Sequence, residues 1–172
     1  MNKKLLYFIL TLGLFALCYQ VLFHFNGRAI HIFFMETVSQ QAVAFLHNIG
    51  LDAGISTRDG ILNLVSYSNA PILRVESGCD GVDLLALYMA FALAFPGPWK
   101  HKLWYVPLGL ILVHFFNVIR VASLTVIASH SIEVMEFNHK YTFLILVYAF
   151  VFALWFFWIK KFALPHAKTA QA

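Results

Sequence analysis

The chain has 172 residues, 61% of them hydrophobic and 12% charged, with a formal net charge of +4 and a mean hydropathy of +0.76. Soluble domains carry about 25% charged residues, so this composition excludes an ordinary water-soluble fold and points to a single integral membrane domain. The two cysteines, Cys18 and Cys79, exclude a disulfide framework and have no zinc-type spacing, and the basic balance reads as bilayer orientation rather than nucleic-acid binding.

The expected fold is an all-α membrane bundle of about four transmembrane helices, at residues 5–25, 82–98, 103–128 and 141–159, with an external segment over residues 26–81. Asn2-Lys3-Lys4 leads into the first apolar run. That run is long for a signal peptide and has no small-x-small cleavage site, and Leu17 stands where a lipoprotein box needs a small residue, so an uncleaved anchor is expected. Residues 30–49 place Ile30, Phe34, Val38, Ala42, Phe45 and Ile49 on one helical face, with His31, Ser39, Gln40 and His47 elsewhere. This predicts an amphipathic helix at the outer interface, ended by Gly50 and Gly54. Two short strand-like runs, residues 61–67 and 72–76, flank Ser68-Asn69-Ala70-Pro71 and predict a small β-hairpin leading to Cys79.

The second span opens with Asp83 and needs residues from Cys79 onward to cross a core of about 30 Å. Lys3 and Lys4, Lys100 and Lys102, and Lys160, Lys161 and Lys168 all fall on one side of an alternating four-span path. The positive-inside rule makes that side cytoplasmic, in the inner or cytoplasmic membrane, with both termini inside. Glu36, Asp52, Asp59, Glu76, Asp80, Asp83, Glu133 and Glu136 fall on the opposite side or at its rim.

Three residues far apart in sequence share that outer rim. Cys79 lies between Gly78 and Gly81, which permit a tight turn and close approach of a substrate. At a helix N-terminus its thiolate would be favoured; the bland alternative is a small packing residue. Cys18, in mid-span, reads as structural. Arg120 lies well inside the third apolar run, with Asn117 one turn earlier. A mid-helix arginine costs about 2.5–3.5 kcal/mol on insertion scales, so it is expected to face the bundle or a wet cavity. Its bland alternatives are snorkelling to headgroups or a structural pair with Glu133 or Asp83. His139 precedes the fourth span and suits a general base or acid near neutral pH. His130 is a rival in the same loop; His139 is preferred because the first turn of a helix would hold it. The other histidines read as interfacial or loop residues, with His114 deeper in the bundle. Neither a zinc-protease His pair nor a serine-hydrolase elbow is present, and no metal or cofactor is expected.

In three segments the chain resembles the exosortase/archaeosortase family: Val75-Glu76-Ser77-Gly78-Cys79-Asp80-Gly81-Val82, Asn117-Val118-Ile119-Arg120-Val121, and Phe137-Asn138-His139 before a last span. The resemblance implies a compact membrane cysteine peptidase or transpeptidase with Cys79 as nucleophile and Arg120 and His139 as its other catalytic members. It also implies partners: exported proteins with a C-terminal transmembrane sorting signal, in contact with membrane lipid, and a glycan or lipid amine as acceptor. Two departures stand out. Asp80 follows the cysteine where many members have serine, and the chain is much shorter than the larger members. Burial disfavours a thiolate, so a cation such as Arg120 is required beside it, while Asp80 and Asp83 oppose it. The reading from another class is a small transporter subunit or scaffold binding an anionic solute through Asn117 and Arg120.

Overall fold

The computed structural model describes residues 3–58, 62–67, 70–75 and 78–164. Asp59, Ile61, the Ser68-Asn69 part of the expected turn, Glu76-Ser77 and the tail from Pro165, with Lys168, lie outside the described residues. The chain is an all-α membrane protein with a small β element. Helix α1 covers Lys3–Asn48, α2 Val82–Ala94, α3 Trp99–His130, α4 Ile132–Phe137 and α5 Phe143–Trp158. Strands β1 (Ala53–Arg58), β2 (Leu62–Tyr67) and β3 (Ala70–Arg74) lie between α1 and α2. Single π-helical turns at Asn138–Thr142 and Ile159–Ala163 flank α5.

Three helical stretches, Leu5–Asn48, Trp99–His130 and Ile132–Ala163, are long and apolar enough to cross a membrane. The first span and the outer amphipathic helix are one continuous helix of 46 residues, not two elements. At 1.5 Å per residue it is roughly 70 Å long, more than twice the hydrocarbon thickness of a bilayer. It ends at Asn48, before Gly50, while Gly54 lies inside β1. The expected second span at 82–98 is instead a 13-residue helix, Val82–Ala94. Pro96 and Pro98 follow it, and proline lacks the amide a continuing helix needs. Residues 78–81 form a turn and add nothing to its length.

The expected hairpin is part of a three-stranded antiparallel meander in the order β1-β2-β3. Ala53 pairs with Tyr67 and Arg58 with Leu62; Leu64 pairs with Arg74 and Tyr67 with Ala70, with a bulge at Val65/Ser66.

The chain divides into two compact units. One comprises Met1–Gly27, Asp83–Val113 and Ala149–Ala172. Three of its polar side chains end on backbone carbonyls: the Tyr88 hydroxyl donates to Tyr105 O at 3.0 Å, the Tyr105 hydroxyl to Leu154 O at 2.7 Å, and Lys102 Nζ to Leu93 O at 2.6 Å. Lys102, which the sequence places just before the third span, is buried. Phe91 stacks on Trp155 with centroids 4.2 Å apart, and Tyr19 donates to Asp83 Oδ1 at 2.5 Å.

The second unit comprises Arg28–Val82 and His114–Tyr148. Its core gathers Met35, Val38, Ala42 and Leu46 of α1, Leu73 and Val75 around the end of β3, and Val118, Val121, Ala122 and Leu124 of α3. Val38 and Ala42 lie on the face predicted from sequence. Ile49 of that face is exposed, whereas Ser39, placed on the polar side, is fully buried.

Candidate active site

Cys79 sits in the turn between β3 and α2. Gly78 has φ +97° and Gly81 φ +83°, in the left-handed region that side chains with a Cβ rarely adopt. Gly81 answers a second requirement. A Cβ there would lie 2.8 Å from Asn117 Nδ2 and 3.1 Å from its Cγ. The missing Cβ lets Asn117 of α3 reach over the turn and donate Nδ2 to the Cys79 carbonyl at 2.9 Å. Asn117 thus holds the backbone of the cysteine, and its Oδ1 is buried with no hydrogen-bond partner.

Arg120 lies one turn further along α3 and is 5% exposed. Its Nη2 points at Cys79 Sγ at 4.0 Å, and its Nε is buried without a hydrogen-bond partner. The ion pair found among the described residues is His31–Asp80, so Arg120 forms none with Glu133; Asp83 accepts from Tyr19. A buried guanidinium with no carboxylate partner among the described residues favours negative charge on an acceptor it faces, and here it faces sulfur.

His139 also meets the sulfur, with Nε2 2.8 Å from Cys79 Sγ. Its support differs from expectation. Instead of the first turn of a helix, His139 occupies the π-helical turn between α4 and α5, closed by the Phe143 amide bonding Asn138 O. The helix begins earlier, at Ile132, where Ser131 Oγ accepts from the Val134 amide. Single π turns occur frequently where a helix must re-aim a side chain at a functional site. His130 lies apart, at the end of α3, with Nδ1 against Val126 O at 2.9 Å and Ser129 Oγ at 3.1 Å.

Cys79, Arg120 and His139 open onto one cavity of about 500 Å³, which Gly78, Glu136, Lys140 and Leu144 also line. A residue that sequence reasoning left as interfacial belongs to the same turn: His31 Nδ1 of α1 meets Asp80 Oδ2 at 2.5 Å. The available signal was Asp80 itself, since a carboxylate inside an apolar protein needs a partner. Chemically, the arrangement sets a thiol against an imidazole nitrogen able to take its proton, and a fixed cation against the sulfur.

No curated protein and no solved structure matches the chain. The family model for the transmembrane exosortase (Exosortase_EpsH) matches residues 3–159. That match takes in all three elements that supply Cys79, Arg120 and His139, and by it the chain belongs to the transmembrane exosortase family.

Proposed function

We propose that the protein is a membrane-embedded cysteine peptidase or transpeptidase that cleaves C-terminal sorting signals of exported proteins at the external membrane face. The observation that carries this reading is the 2.8 Å contact between Cys79 Sγ and His139 Nε2, with Arg120 Nη2 on the same sulfur. Family membership supports it. The external location rests on the segregation of the lysines described above.

In the proposed reaction His139 Nε2 takes the thiol proton and Arg120 stabilises the resulting thiolate. Sulfur attacks the scissile carbonyl of a substrate held by its own transmembrane tail. The negative charge then moves to the carbonyl oxygen, which the guanidinium can follow at short range. Collapse breaks the C–N bond, His139 returns its proton to the leaving amine, and the acyl group remains on Cys79 as a thioester. Water, or an amine of a glycan or lipid acceptor, attacks the thioester and restores the thiol. Asn117 holds the Cys79 carbonyl throughout, a use that competes with its binding a solute.

The test is processing of an epitope-tagged exported protein bearing a hydrophobic C-terminal tail. The parent chain shortens the substrate and gives a hydroxylamine-labile adduct, while Cys79→Ala accumulates normally and does neither. Unaltered processing by Cys79→Ala rejects the reading. Labelling of Cys79 in intact cells by a membrane-impermeant thiol reagent, in a Cys18→Ser background, tests the external placement.

A further inference from the structure

The cysteine turn is also held from a side that the proposed reaction does not use. Asp80, the residue after the nucleophile, is fully buried. Burying an ionised carboxylate is costly unless it is paired and hydrogen-bonded. Both of its oxygens are engaged. Oδ1 accepts from the amide of Val82, the first residue of α2, at 3.2 Å, and Oδ2 meets His31 Nδ1 at 2.5 Å. The His31 side chain is 21% exposed and is carried by the same helix, α1, that supplies Met35, Val38, Ala42 and Leu46 to the core beneath the site.

An uncompensated carboxylate next to Cys79 would oppose a negative sulfur. It would also leave the turn free to relax, since the two left-handed glycines give little resistance to rotation. Asn117 fixes the turn through the Cys79 carbonyl from α3, and His31 fixes it through the Asp80 carboxylate from α1. We propose that His31 and Asp80 are a positioning pair for Cys79: they pin its turn to α1 and draw the carboxylate charge to the imidazole, away from the sulfur. This role rests on the reading of Cys79 as nucleophile. His31 meets the cysteine turn at the Asp80 carboxylate, so its role is positioning rather than catalytic.

The test reads Cys79 directly, without a substrate. The full chain is prepared in membranes in a Cys18→Ser background, leaving Cys79 as its one thiol. Its alkylation by N-ethylmaleimide is followed per molecule of accumulated protein. His31→Ala slows alkylation about tenfold, the effect expected of one uncompensated neighbouring charge on thiol ionisation. Asp80→Asn keeps an acceptor for the Val82 amide and removes the charge. Combined with His31→Ala it returns the rate to within about twofold of the parent, the usual additivity error.

An unchanged rate in His31→Ala overturns the pair, as does a double variant that stays as slow as the single one. If His31→Ala fails to accumulate, the pair predicts that adding Asp80→Asn restores accumulation, and failure to restore it also overturns the proposal. Processing by Cys79→Ala would overturn the enzyme reading, yet these alkylation rates would still report whether His31 and Asp80 act together.

Discussion

In the unit holding α2, the Tyr88 and Tyr105 hydroxyls and the Lys102 ammonium all end on backbone carbonyls. Its orphaned buried nitrogens are the indoles of Trp155 and Trp158 and one ring nitrogen of His101. In the unit holding Cys79, three contacts at the cysteine turn run between side chains: imidazole on thiol, guanidinium on sulfur, imidazole on carboxylate. The buried atoms left over beside the cysteine are Asn117 Oδ1 and Arg120 Nε, and the same unit also leaves Ser39 Oγ and His114 Nδ1 over. A hydroxyl bonded to a carbonyl is fully spent on holding helices together. A buried cation aimed at a thiol is costly as structure, and its return comes when negative charge develops on the sulfur. The contrast therefore separates polar groups that support the fold from polar groups that support a reaction.

The largest expected effects lie at the thiol–imidazole contact. Cys79→Ala should lower processing by at least about a thousandfold, as loss of a nucleophile does, with accumulation unchanged. His139→Ala should cost about 10²–10⁴-fold in the rate of thioester formation, the usual share of a general acid–base. His130→Ala should leave that rate within about twofold, because its ring is engaged with the end of its own helix. Equal losses at His130 and His139 would erase the distinction between a group on the sulfur and one that only ends a helix. Single-turnover cleavage of a tagged substrate in membranes separates the two.

The parts legible in the sequence are those with a local physical cause. Arg120 stands out because an arginine inside an apolar helix must face something polar. Cys79 stands out because its flanking glycines announce a turn, and both adopt positive φ. The π turn under His139 was not legible, since a single i→i+5 turn has no compositional signature. His31 was hidden for another reason. Helix α1 is apolar around most of its circumference, so the pattern could not say which side faces protein. The expected face ran through Ile30, Phe34, Val38, Ala42, Phe45 and Ile49, yet Ile49 is exposed and Ser39, placed off that face, is fully buried. Strand β1 was missed because Gly54 was read as a helix end, and the short run Ala-Gly-Ile-Ser-Thr-Arg takes its order from pairing with β2.

Arg120→Lys probes charge against geometry at the same site. Lysine keeps a cation but loses the planar fork, and its shorter reach gives it no fixed donor at the sulfur. Processing should fall about 10–100-fold, less than the loss of a nucleophile and close to that of one preorganised donor. Cys79 alkylation should slow as well, since the cation is withdrawn from the thiolate in the resting protein. A drop in processing with unchanged alkylation would instead assign Arg120 to the substrate oxyanion alone. Accumulation of the variant, read on the same membranes, separates both outcomes from a folding defect.

The smallest effect belongs to the other unit and is the control that gives the contrast its meaning. Tyr88→Phe removes a buried hydroxyl and leaves Tyr105 O without that donor. The ring, which is fully buried, keeps its packing. A hydrogen bond of this kind contributes about 0.5–1.5 kcal/mol, so thermal unfolding in detergent should occur at slightly lower temperature. The Cys79 alkylation rate per folded molecule should not change, because Tyr88 completes a contact between helices and holds nothing at the cysteine turn. If that rate did fall with Tyr88→Phe, the two units would be energetically coupled. The division between polar groups that hold the fold and polar groups that do chemistry would then be one of degree.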